Sequence, residues 1–196
     1  EGCVINTSGI GKRNRALDHN LAVVKKHRPQ FSSRWLLDSN LRSGDKIILS
    51  GTIGDHGLAV LSSREGYGFG SKIVSDVAPL NKVVLRLLNE AGGIVVMKDP
   101  TRGGLSNALN EWSQKSKVGI LVAEERIPIR EDVRSACEML GIDPLEVGNE
   151  GKIIIGTVAE KAEKVLETLR ETEEGKNAQI IGEATDQFKE VALETV

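Results

Sequence analysis

The string Asp99-Pro100-Thr101-Arg102-Gly103-Gly104 joins a short apolar run to an amphipathic stretch, and no other junction limits the fold as tightly. Upstream, Gly93-Ile94-Val95-Val96-Met97 is β-branched and apolar, as a buried strand should be; downstream, Leu105, Ala108, Leu109 and Trp112 recur at helical spacing. The loop therefore opens a helix. The first N–H groups of a helix lack intrahelical partners and carry the positive end of its dipole, so such a loop is suited to phosphate. Gly103 and Gly104 would let a polyphosphate approach the backbone, and Asp99 would place a carboxylate where a Mg²⁺ bridging the phosphates would sit. The plain alternative is an ordinary strand-to-helix turn, with Thr101 as N-cap and Arg102 in solvent.

The same strand, loop, helix order recurs along the chain. Lys46 to Ser50 reads as a strand, Gly51-Thr52-Ile53-Gly54-Asp55-His56-Gly57 as a second glycine-rich loop, and Leu58 to Arg64 as its helix. This loop is neither a Walker A sequence nor a GxGxxG. A helix through Val83, Val84, Leu87, Leu88 and Ala91 ends at Gly92-Gly93, and a strand is expected over 118–122. The spacing then predicts a helix over 131–140 capped by Gly141, a strand over 152–158, a helix over 162–169 and strands over 178–183 and 191–196. The fold class is α/β (α+β). The uneven spacing favours a mixed β-sheet covered by helices over a strictly parallel one.

Charge narrows the partners. With 26 basic and 28 acidic residues in 196, the net charge is −2, so no overall field draws the chain to nucleic acid or an anionic membrane. Phosphate binding has to be local. No apolar stretch reaches the length of a membrane span, and the N-terminus is neither a signal nor a transit peptide. Cys3 and Cys137 have no CxxC or His-rich surroundings, which argues against a disulfide framework or structural zinc; a reducing cytoplasm is the default, and Cys137 reads as a small helix residue. Between Lys12 and Asn40 the chain is polar and basic, with Leu17, Leu21, Val24 and Trp35-Leu36-Leu37 suggesting helical pieces broken at Pro29. This segment reads as a connector, and Lys25-Lys26-His27-Arg28 as a solvated helix end rather than an anion site. Both ends read as cut: the chain opens directly into an apolar run and closes on a strand.

A third loop, Gly148-Asn149-Glu150-Gly151-Lys152, holds a carboxylate and an amide between glycines at the start of a buried strand. Glu150 suits a general base if partly desolvated, and otherwise the polar edge of a turn.

These loops, together with Asn6-Thr7-Ser8-Gly9-Ile10-Gly11, Ser75-Asp76-Val77-Ala78-Pro79-Leu80 and Ala136-Cys137-Glu138-Met139-Leu140-Gly141, closely resemble the HypE family of hydrogenase maturation proteins. That family belongs to the ATP-dependent superfamily of aminoimidazole ribonucleotide synthetase and selenophosphate synthetase. The resemblance runs in order over nearly the whole chain; Gly-Asp-His-Gly and Asn-Glu-Gly-Lys favour HypE, whereas the Asp99 loop alone would indicate only the superfamily.

The resemblance implies an ATP-dependent carbamoyl dehydratase that converts a thiocarboxamide on a C-terminal cysteine to a thiocyanate, the cyanide source for NiFe hydrogenases. It implies Glu150 as base, Asp99 as Mg²⁺ or phosphate-site carboxylate, Thr101, Gly103 and Gly104 as phosphate contacts, and Asp55, His56 and Asn149 in the same ATP cleft. It further implies a carbamoyltransferase and an iron-carrying scaffold as partners, and a homodimer for the full-length protein. On this reading residues 1–11 are a remnant of the N-terminal ATP-binding domain, 12–42 a connector and 43–196 the C-terminal domain of the aminoimidazole ribonucleotide synthetase-like fold. The family's N-terminal half and its Pro-Arg-x-Cys tail are missing, so no turnover is expected from the chain alone. Two other readings stay open: another synthetase or kinase of the superfamily, and a non-catalytic docking module.

Overall fold

The computed structural model describes residues 8–66 and 73–195. Cys3, the start of the expected N-terminal strand and Val196 lie outside them. Six strands, β1 (Lys46–Leu49), β2 (Ile94–Lys98), β3 (Gly119–Ala123), β4 (Ile154–Thr157), β5 (Gln179–Thr185) and β6 (Val191–Glu194), form one sheet in the order β2-β4-β1-β5-β3-β6. Neighbours run antiparallel except β3 and β6, which are parallel, so the sheet is mixed, as expected. Among the described residues six α-helices accompany it: α1 (Arg15–His27), α2 (Asp55–Glu65), α3 (Asn81–Arg86), α4 (Gly104–Ser116), α5 (Glu131–Leu140) and α6 (Ala162–Arg170).

Alternation along β1 explains the layers. Ile47 and Leu49 point to one face, where Leu105, Ala108, Leu109 and Trp112 of α4 meet Leu21 and Val24 of α1. Ile48 points to the other, against Val83 of α3, Leu87, Leu88 and Ala91 beyond it, and Val165, Leu166 and Leu169 of α6. Each such Val, Leu or Ile side chain, where fully buried, contributes about 1.5–3 kcal/mol. A smaller cluster joins Leu58 of α2 to Val133, Ala136 and Cys137 of α5 and to Val147. That third cluster seats α2 next to the loop that begins at Val147. Among the described residues no helix is long and apolar enough to cross a membrane.

Residues of the segment expected as a connector pack against the sheet. Asn20 of α1 is fully buried; its side chain donates to the Ile94 carbonyl (2.8 Å) and accepts from the Ile94 N–H (2.9 Å), covering the outer edge of β2. Arg28 pairs with buried Asp45 just before β1, and Asn40 donates to the Val95 carbonyl at 3.0 Å. Trp35 to Leu37 are not helical; a single 3-10 turn follows at Asp38–Asn40. The physical reason is the open edge: among the described residues β2 has no strand beyond it, and α1 covers the polar backbone there.

Candidate functional site

Three loops meet at Gly148-Asn149. Asn149 is fully buried, and its side-chain oxygen accepts from the Gly54 N–H at 2.7 Å. Its amide nitrogen donates to the carbonyls of Val147 (2.9 Å) and Pro100 (3.3 Å), while its backbone N–H donates to Pro100 at 2.9 Å. One side chain thus ties the β1–α2 loop, the Asp99 loop and its own loop together. The role this geometry assigns to Asn149, read from the sequence as a cofactor contact, is that of a clamp.

Glycines permit the close approach. Gly57 donates its N–H to the Gly148 carbonyl at 3.1 Å. Gly104, with φ +62°, lies against the backbone of Leu145 to Val147, where a Cβ would overlap the carbonyls of Leu145 and Val147. Its missing side chain makes room for this strip. Gly103, exposed and at φ +75°, is the N-cap of α4 and provides no side-chain cap. Thr101 is therefore not the N-cap; its carbonyl accepts from the Gly104 N–H at 3.2 Å and its side chain is half-buried. The N-termini of α2 and α4 both abut the strip 145–149, which gathers two positive dipole ends in one place.

Two carboxylates stand free on this platform. Asp99 and Glu150 are both exposed, and neither has a hydrogen bond or ion pair among the described residues. The desolvation that would mark Glu150 as a base is not present in this chain by itself. Lys98 turns away from Asp99: its ammonium donates to Asp38 (3.1 Å) and Glu111 (2.6 Å), and Lys115 joins both. Hydrogen bonds from Lys98 and Lys115 hold the Glu111 carboxyl at about 2.

Asp55 and His56, expected in the same cleft, form the first turn of α2. Asp55 is 2% exposed, accepts a hydrogen bond from the Thr52 hydroxyl (2.6 Å) and lies 3.5 Å from the Arg130 guanidinium. Burial pushes its carboxyl up, reinforced by the charge of Asp76 and opposed by Thr52, Arg130 and Lys152. His56 shares a 2.8 Å hydrogen bond between Nδ1 and the Ser75 hydroxyl. Lys152 reaches Asp76 at 3.0 Å, and both line a cavity of about 320 Å³ with Gly51, Thr52 and Lys176.

Asp76, Lys152, Thr52, Ser75 and Arg130 were not singled out from the sequence. Thr52, Ser75, Asp76 and Lys152 each lie in a string that resembles the HypE family, which is the signal that could have found them; nothing in the sequence marks Arg130. Among the described residues no three metal-ligating side chains gather. Asp99 fits Mg²⁺ only as one ligand among phosphate and water oxygens, a common arrangement for this ion, and its exposed, unpaired carboxylate beside an uncapped helix start suits that.

The chain is similar to a hydrogenase expression/formation protein of Methanocaldococcus jannaschii, 48% identical over 193 residues, covering 98% of this chain and 52% of that protein. It is 50% identical over 155 residues to the carbamoyl dehydratase HypE of Azotobacter vinelandii, covering 79% and 46% respectively. Among solved structures, HypE in a HypE–HypF complex superposes with a TM-score of 0.79 at 48% identity, covering 81% of this chain and 52% of that one. A hydrogenase maturation protein HypE in complex with ATP gives 0.78 at 42% identity, with coverage of 82% and 50%. The chain spans about half the length of the curated relatives it matches. Residues 42–193 match the family of AIR synthase related proteins, C-terminal domain. By that match, and with relatives that are HypE proteins, the chain belongs to the AIR synthase related family as a C-terminal domain.

Proposed function

We propose that this chain is the C-terminal half of a HypE-type carbamoyl dehydratase, and that its three clamped loops form one wall of the ATP-dependent dehydration site. The observation that carries the reading is the pair of free carboxylates, Asp99 and Glu150, on a backbone locked by Asn149. Fixed backbone with unpaired side chains is what a site needs when its ligands arrive from elsewhere.

The reaction removes water from a cysteine-bound carboxamide. Amide oxygen leaves poorly; ATP supplies the phosphoryl group that turns it into a leaving group, with Mg²⁺ shielding the charge. The sulfur-bound carbon keeps its nitrogen, which loses two protons as the C–O bond breaks, and the products are thiocyanate, ADP and phosphate. Asp99 would hold the metal, and Thr101 with the first N–H groups of α4 would face phosphate oxygens. Glu150 would accept a proton from nitrogen once a bound substrate excludes water from its carboxylate. Gly103 would leave the helix start open, whereas Gly104, Asn149, Asp55 and His56 would hold the loops in register.

The remaining machinery would come from the rest of a longer cytoplasmic protein acting as a homodimer, with the N-terminal half completing the ATP site and a C-terminal tail bringing the cysteine that carries the substrate. HypF, solved in complex with a HypE relative, supports a carbamoyltransferase as partner, and an iron-carrying scaffold would accept the product. Calorimetric titration of Mg-ATP tests the phosphate site. The chain is expected to take up nucleotide weakly and the Asp99→Ala variant none; equal binding by both would remove Asp99 from the site.

A further inference from the structure

Asp76 and Lys152 are paired almost out of water, their side chains 6% and 12% exposed and Nζ 3.0 Å from Oδ2. Yet neither oxygen of Asp76 accepts a hydrogen bond among the described residues. A buried ion pair offsets its desolvation only when its remaining lone pairs are hydrogen-bonded, and apolar replacements are often just as stable. Stability therefore does not account for this pair, whose neighbours point to another role.

Lys152 lies two residues beyond Glu150. Between them Gly151 packs so tightly on the 76–78 backbone that a Cβ would overlap the Asp76 carbonyl and come within 3.0 Å of the Ala78 nitrogen. Gly51, from the β1–α2 loop, leaves space for the Lys152 stem; a Cβ there would lie 2.9 Å from Cε. On the other side of Glu150, Asn149 is fixed by its bonds to Gly54, Val147 and Pro100. Glu150 is the residue of this turn whose side chain is free, and its backbone is held from both sides.

We propose that Asp76 and Lys152 are positioning residues for Glu150, their ion pair setting the direction in which the Glu150 carboxylate leaves the loop. This rests on Glu150 acting as the base. A misplacement of about 1 Å at a reacting group costs on the order of 100-fold in rate, so loosening the turn should be visible in turnover without a loss of nucleotide affinity.

The test uses the full-length protein, single-turnover thiocyanate formation from its carbamoylated cysteine, ATP affinity and melting temperature. Glu150→Gln is expected to abolish the step. Asp76→Asn should slow it roughly 10- to 100-fold with ATP affinity unchanged, and Lys152→Arg, which keeps the pair, should stay close to wild type. The double variant Asp76→Asn/Lys152→Met removes both buried charges; its melting temperature should return while its rate stays low. A double variant that regains both melting temperature and rate would overturn the inference, as would wild-type turnover in Asp76→Asn while Glu150→Gln is inactive. Wild-type turnover in Glu150→Gln would instead refute the base assignment, and the positioning role with it.

Discussion

Asn149→Ala is the sharpest perturbation of the loop junction. It deletes three side-chain hydrogen bonds, one accepted from Gly54 at 2.7 Å and two donated to Val147 and Pro100 at 2.9 and 3.3 Å. Each is worth about 1 kcal/mol net, and stranding the buried Gly54 N–H costs roughly 1–3 kcal/mol more. The expected loss is about 4–6 kcal/mol, a large share of the roughly 5–15 kcal/mol that holds a domain together. Melting should fall by roughly 10 °C for a chain of this size. Equilibrium urea unfolding followed by circular dichroism measures it, with the denaturant slope as a check that the folded state stays compact. Asn149→Asp adds a second test. It keeps the acceptor for Gly54 but turns a carboxylate toward two carbonyl oxygens, so it should be most unstable near neutral pH and recover on acidification, when a proton restores a donor. A loss below about 1 kcal/mol in Asn149→Ala at unchanged slope would refute the clamp.

Two further outcomes follow from the packing and the charges. Gly104→Ala should cost about 3 kcal/mol in the same unfolding assay, combining a positive φ with overlap on the 145–147 backbone, while Gly141→Ala, at φ +65° with open space around it, should cost only about 1 kcal/mol. Burial pushes the Asp45 carboxyl up from 3.8 to about 6 against the opposing charge of Arg28, so its contribution to stability is complete below pH 3.8 and is lost as pH rises through about 6. That loss amounts to about 3 kcal/mol, and unfolding midpoints measured across this window should flatten in Asp45→Asn.

Local pattern reached most of the elements because each carries its own signal. Helix α5 begins at Glu131 and ends before Gly141, where a glycine at φ +65° closes it as its position promised. The short apolar run Ile47-Ile48-Leu49 between the Gly44-Asp45 turn and the Gly51 loop reads as a strand, and the pleat sends its neighbouring side chains to opposite cores. What escaped is what distance in sequence conceals. The Asn20 contact with β2 spans 74 residues, and a polar residue on a basic helix carries no mark of being buried. Asp55 reads as a solvent or ligand carboxylate until Arg130, 75 positions away, and Asp76 are seen beside it. Gly104 has the spacing of a phosphate-loop glycine, and nothing in the string tells a backbone that admits a ligand from one that admits the chain itself.

That last ambiguity bears on how such a site is built. Nearly every rigid contact in the three loops is protein against protein: Gly104 on Leu145 to Val147, Gly57 on Gly148, Gly151 on Asp76, and Asn149 across all three. Among the side chains left over are the carboxylates Asp99 and Glu150, both free of partners among the described residues. Two exposed carboxylates gain little from their surroundings and cost little to the fold, so their placement is set by the backbone beneath them. A ligand bringing cations or acidic protons to this wall would find acceptors already oriented, and the ordering cost would have been met in folding, by the glycines and by one buried asparagine. It follows that substitutions at Asp99 and Glu150 should act on binding and turnover with stability within about 0.5 kcal/mol of wild type, and substitutions at Asn149 and Gly104 on stability first.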